Sequence, residues 1–230
     1  MDWEIDGIDV RADGPRFGLS VTDALGGAYA SARISEIRGI AEECPHLGFV
    51  CVRDDARDAD LFCETAGIAS SSDLGIVLES HDASNILRAA SGLDGHVPLI
   101  RILDGGLEDS AMVTAMLGTP LAVPGDDVQS LMDNAEAAES MGAEVVLDPA
   151  VANMKGCLEM STDIHRLWSE HGIPLAGRPL MVRAWSGEYA LAVASVSVMC
   201  HGDLVILDDL DPEACRVLDA LMSSVDRNDS

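Results

Sequence analysis

Carboxylates placed just past short apolar runs are the residues of this chain with the clearest capacity for chemistry. In Gly142-Ala143-Glu144-Val145-Val146-Leu147-Asp148-Pro149, a glycine able to stop a helix precedes three aliphatic residues. An acid follows, and proline then bars further strand pairing. The pattern recurs: Asp23, Asp54, Glu79, Asp104, Asp126 and Asp208 each stand at the end of an apolar run, and Arg183 falls in another. Carboxylates gathered in a partly dehydrated cleft raise one another's pKa. One can then be held protonated as a general acid or hydrogen-bond donor, or the group can bind a divalent cation. Aspartate is also a favoured cap of a following helix, so ligand contact and capping both stand open for Asp148 and Asp104.

Other chemistries have less support. The chain has no G-x-S-x-G elbow, Walker loop, H-E-x-x-H or G-x-G-x-x-G. Six cysteines (Cys44, Cys51, Cys63, Cys157, Cys200, Cys215) lack a C-x-x-C pair, which reads as buried thiols in place of a cluster or structural zinc. The histidines lack metal-ligand spacing, and only His81 falls at an expected strand end. Lys155 and Arg183 are the cations nearest the expected site, able to hold an anionic group or to pair with local acids.

The elements that would position these residues alternate along the chain. Strands are expected over residues 17–22, 49–52, 74–78, 97–103, 120–123, 145–147, 180–184 and 204–207. Helices are expected over 31–44, 59–69, 83–90, 108–117, 128–141, about 154–170, 189–199 and 212–225. In the sixth helix Leu158, Ile164, Leu167 and Trp168 read as the inner face. Asp211 before Pro212 is the clearest helix start. Gly118, Gly142, Gly172 and Gly202 mark successive helix-to-strand joints. A unit that persists through the whole chain predicts a compact (β/α)8 TIM barrel over residues 17–225, with an open flavodoxin-like sheet as the alternative. Residues 1–16 form a leading strand or hairpin and 226–230 a loose tail. At 230 residues the chain lies slightly under the roughly 250 usual for this barrel. Its strand ends would share one acidic mouth.

A formal charge of -26, from 40 acidic against 14 basic side chains, excludes nucleic-acid backbone and anionic membrane as partners. No run is long enough for a membrane span and no leader pattern opens the chain, so a cytoplasmic protein is expected. Composition leaves a homo-oligomer possible.

Leu61-Phe62-Cys63-Glu64-Thr65-Ala66, Leu74 to Leu78, Pro98-Leu99-Ile100, Pro120 to Pro124, Glu144 to Pro149, Met154-Lys155-Gly156-Cys157-Leu158-Glu159 and Gly202 to Pro212 carry a family likeness. Together they resemble the TIM-barrel domain of the corrinoid iron–sulfur protein subunits (gamma and delta) of carbon monoxide dehydrogenase/acetyl-CoA synthase. That domain lies within the pterin-dependent methyltransferase and dihydropteroate synthase-like superfamily. The resemblance implies methyl transfer with a corrinoid protein or methyltransferase subunit as partner. No cofactor would be bound tightly: methyl-tetrahydropterin would be a substrate, and cobalamin would sit on the partner. Asp148 matches the acid that contacts the pterin ring. Asp104 and Asn153 would help hold the ligand, with Arg183, Glu79 and Asp208 on the same rim. The family's strand-end asparagines are matched here by Asp104 and Ser186. The same fold also admits a non-catalytic assembly barrel, or a metal-dependent lyase or aldolase using the acidic mouth.

Overall fold

The computed structural model describes residues 3–11, 14–104, 106–150, 153–184 and 189–225. A two-stranded antiparallel hairpin, β1 (Glu4–Ile5) and β2 (Ile8–Asp9), leads into eight parallel strands. These are β3 (Arg16–Thr22), β4 (Leu47–Arg53), β5 (Gly75–Ser80), β6 (Leu99–Ile102), β7 (Pro120–Gly125), β8 (Glu144–Pro149), β9 (Met181–Ala184) and β10 (Leu204–Leu207). Helices follow in turn: α1 (Gly26–Ala41), α2 (Ala59–Ala69), α3 (Ala83–Ser91), α4 (Leu107–Leu117), α5 (Val128–Ser140), α6 (Met154–Ser169), α7 (Ala190–Met199) and α8 (Pro212–Ser224). The strands run β8-β7-β6-β5-β4-β3-β10-β9. A single parallel bridge, Leu147 to Leu180, joins the two ends, and Leu147 N donates to Pro179 O at 2.8 Å. The result is the nearly closed (β/α)8 barrel expected, not an open sheet.

Side-chain alternation along each strand sorts the interior into two layers. Phe17, Leu19, Val21, Val50, Val52, Ile76 and Leu78 pack outward beneath the helices. Phe49, Cys51, Val77, Leu99, Ala122, Val146, Met181, Leu204 and Ile206 form a second cluster on the barrel axis, and Trp3, Ile5 and Val10 of the N-terminal segment join it from below. The hairpin is therefore the floor of the barrel. Phe49 fits at the centre because its neighbours lack side chains. A Cβ at Gly75 would lie 2.5 Å from the Phe49 ring, and one at Gly18 would lie 2.8 Å from Phe49 Cβ.

Three of the four expected glycine joints are left-handed: Gly118, Gly142 and Gly172 have φ of 67°, 91° and 64°. At the fourth, His201 takes that conformation (φ 68°), and Gly202 instead lets the chain pass close over Ser197. Helix α1 begins earlier than its apolar spacing suggests and has no side-chain cap. In α6 the inner face is Cys157, Met160, Ser161 and Ile164, while Leu158 and Trp168, expected inside, are exposed. The tail 226–230 and Ser186 lie outside the described residues.

Phe49→Ala is expected to cost about 3–5 kcal/mol in denaturant unfolding, since glycines on both sides cannot fill the cavity it leaves.

Candidate functional site

Strand register builds the site. Two residues beyond an interior position a side chain faces the interior again, now one layer nearer the C-terminal ends of the strands. From Cys51 that step reaches Arg53; from Val77, Glu79; from Leu99, Arg101. From Val146 it reaches Asp148; from Met181, Arg183; from Ile206, Asp208. Six of the eight strands thus place an ionisable side chain over the hydrophobic floor, at the end of a parallel barrel where ligands bind.

The six are paired throughout. Arg101 donates through Nε to Asp148 Oδ2 at 2.6 Å and through Nη1 to Glu79 Oε2 at 3.1 Å. Arg183 lies 3.0 Å from Glu79 Oε2 and 2.5 Å from Asp208 Oδ1, and donates to Cys51 Sγ at 3.5 Å. Arg53 reaches Asp208 at 3.1 Å, Asp55 at 2.9 Å and Glu79 at 3.5 Å. Glu79 receives all three guanidiniums and is the hub. Within this inner layer the charges balance, three arginines facing Glu79, Asp148 and Asp208, while further acids such as Asp23, Asp54 and Asp55 stand at the rim. Sequence reasoning missed Arg101, which looked like part of an apolar strand, and did not count Arg53 among the interior residues. The available signal was parity, since each stands two residues after an inward-facing apolar residue.

Burial sets the proton affinities. It pushes the Asp148 carboxyl above the ordinary carboxylate range even with Arg101 against it. Burial alone would favour a neutral Arg101, but Asp148 and Glu79 reverse this and hold its pKa above the usual value. Arg183 is likewise raised, with Cys51, Glu79 and Asp208 overcoming burial. Cys51, wholly enclosed, has its thiol pushed up to about 11. Asp148 Oδ1 is buried and has no hydrogen-bond partner. One oxygen of this fully buried acid is thus left without a donor.

The other expected site residues lie elsewhere. Asp104 is exposed and pairs with His81 Nδ1 at 2.6 Å. Asn153 Oδ1 accepts from Gly156 N at 2.9 Å and caps α6, so it serves the helix. Asp23 accepts from the backbone of Asp55 and Ala56, and Asp54 from Ser80 Oγ and Asn85 Nδ2, both holding loops in place. Lys155 is exposed beside Glu159 at 3.5 Å. Among the described residues no group of three or more His, Cys, Asp or Glu is placed to hold a metal ion. No helix among them is long and apolar enough to cross a membrane.

A cavity of about 290 Å³ opens on the mouth between β3 and β10, lined by Ser20, Thr22, Tyr29, Arg33, Arg53 and Asp208 among others. A larger one, about 560 Å³, lies at the opposite end near Trp3, Glu144 and Arg178. The first lies at the C-terminal ends of the strands, the end at which parallel barrels bind ligands.

The Mycobacterium tuberculosis protein Rv1207 superposes with a TM-score of 0.69 at 17% identity, covering 97% of this chain and 96% of that one. Dihydropteroate synthase from Thermus thermophilus gives 0.70 at 15%, covering 93% and 95%. The Yersinia pestis dihydropteroate synthase gives 0.64 at 16%, covering 97% and 99%. The likeness is one of fold. Two of these three neighbours are dihydropteroate synthases, and what this chain shares with them is the barrel. No protein-family model and no curated protein sequence matches the chain.

Two outcomes test the layer. Arg101→Ala is expected to destabilise the protein by about 3–5 kcal/mol in urea unfolding, because it strands a buried carboxylate, whereas Arg101→Met with Asp148→Leu loses less than the single change. The Cys51 thiol ionises near 9.0 when unfolded and only at about 11 when folded. Its contribution is therefore intact below pH 9 and lost as pH rises to 11. Over that window Cys51→Ala should lose roughly 2–3 kcal/mol less stability than wild type.

Proposed function

We propose that this chain is a pterin-binding barrel of one-carbon metabolism, a cytoplasmic protein that presents methyl-tetrahydropterin to a separate corrinoid protein. Asp148 carries the reading: it is buried at the end of β8 with Oδ2 on Arg101 and Oδ1 without a partner. A buried oxygen left open costs about 1–3 kcal/mol, and the aminopyrimidine edge of a pterin supplies donors that would fill it. The fold shared with dihydropteroate synthases supports the same ligand class. Arg101 already donates to Glu79 as well as Asp148, so it can rest on Glu79 while Asp148 is shared with a ligand. In this role the chain's residues orient. A methyl group held in line with an acceptor gains most from fixed geometry, and Glu79, Arg101 and Arg183 fix the one carboxylate that would grip the ring. Cobalamin, on the partner, supplies the methyl-accepting chemistry.

A second reading has its own observation. The mouth layer is charge-balanced and Asp148 is closed to solvent. A barrel kept as a docking scaffold for a corrinoid or methyltransferase subunit would need no more than this.

Calorimetric titration with methyl-tetrahydropterin separates the two. Wild type is expected to bind saturably, and Asp148→Asn, verified as folded by circular dichroism, at least about tenfold more weakly, or ~1.4 kcal/mol. Folded wild type with no saturable binding ends the pterin reading and leaves the scaffold.

A further inference from the structure

The larger cavity lies at the end of the barrel away from the mouth, and the proposed function makes no use of it. At about 560 Å³ it has the size of a small-molecule site. It opens at the seam of the barrel, where Glu144 starts β8 and Arg178 precedes β9. Those two strands meet only later, at the bridge from Leu147 to Leu180, so the chain segments before it stand apart. Trp3 and Glu4 of the N-terminal segment and Glu139 of α5 complete the lining.

The corner is firmly held. Arg11 donates through Nη1 to Gly177 O at 2.7 Å and through Nη2 to Arg178 O at 2.8 Å, which fixes the backbone from which the Arg178 side chain projects. Arg178 lays its guanidinium over the Trp3 ring, 5.2 Å from the centroid, and spends Nε and Nη2 on Glu139 at 2.6 and 2.5 Å. Its Nη1 has no partner among the described residues. Neither has the indole Nε1 of Trp3, a residue only 6% exposed, and a buried donor without an acceptor is costly to keep. Glu139 is taken up by Arg178. Glu4 and Glu144 are exposed, and their carboxylates make no hydrogen bond or ion pair among the described residues.

These groups narrow the ligand. A plain anion would meet three carboxylates against one guanidinium, in a chain of net charge -26. A plain cation would pair with Glu4 or Glu144 and leave the Arg178 and Trp3 donors unfilled. A molecule with one carboxylate and two ammonium groups supplies a partner for each.

We propose that this cavity is a second ligand site, for a free cationic amino acid such as lysine. Arg178 Nη1 and Trp3 Nε1 donate to its carboxylate, and Glu4 and Glu144 take its two ammonium groups. Trp3 also belongs to the apolar cluster beneath the ion layer of the mouth, so occupancy braces the floor of the barrel.

The test is calorimetric titration of the whole chain with L-lysine, beside two analogues that each lack one group: norleucine has no side-chain ammonium and cadaverine no carboxylate. Lysine is expected to bind saturably below about 10 mM, at least about tenfold more tightly than either analogue. It should also raise the melting temperature, because it binds the folded chain alone. Glu4→Gln with Glu144→Gln alters two exposed side chains without partners, so the variant keeps the circular dichroism spectrum of the folded barrel while lysine binding falls at least about tenfold. Folded wild type with no saturable lysine binding overturns the proposal. So does either analogue binding as tightly as lysine, or a folded double variant that binds lysine as wild type does.

Discussion

The mouth of this barrel depends on a buried layer of opposite charges that is stable only as a set. Arg53, Arg101 and Arg183 pair with Glu79, Asp148 and Asp208 across six strands, with three guanidiniums within 3.5 Å of Glu79. Removing charges from water costs several kcal/mol each, and the cost is recovered only where every partner arrives at hydrogen-bonding distance. That requirement reaches back into the backbone. A slip of one residue in any of the strands would turn its charged side chain out beneath the helices and strand its partners. The ion layer thus specifies register around the barrel more sharply than the aliphatic layers, which tolerate exchange of similar shapes.

The layer also needs a dry base. Phe49, Cys51, Val77, Leu99, Val146, Met181 and Ile206 separate it from the other end, and Trp3, Ile5 and Val10 close that end. With water excluded from below, the ion pairs are stronger, and so is the cost of the one oxygen left open. The hairpin is thereby tied to the chemistry of the mouth although it never touches it. Cys51 shows the coupling directly, since its thiol lies in the floor and accepts from Arg183 in the layer above.

Much of the fold was legible in the sequence because short aliphatic runs, helix-ending glycines and the Asp211-Pro212 start are local signals. Four of the six residues of the layer were legible for the same reason: Asp148, Glu79, Arg183 and Asp208 stand at or near strand ends. Arg53 and Arg101 were not, because a pairing such as Arg101 with Asp148 joins residues 47 apart and depends on which way each strand faces. Asp104 and Asn153 looked equivalent to Asp148 by position, yet one lies out on the loop and the other caps a helix. On α6, two apolar faces compete for the inside. Cys157, Met160 and Ile164 win it, leaving Leu158 and Trp168 as the surplus that periodicity alone could not assign.

A net charge of -26 surrounds the molecule, yet the inner layer of the mouth is balanced. An acidic coat opposes the approach of anions and of other acidic bodies, and its long-range repulsion fades within a Debye length of about 10 Å at 0.1 M salt. The inner layer of three arginines and three carboxylates adds no net charge of its own, so under the proposed function it would select by hydrogen-bond geometry, and a neutral heterocycle would suffer least from the surrounding charge.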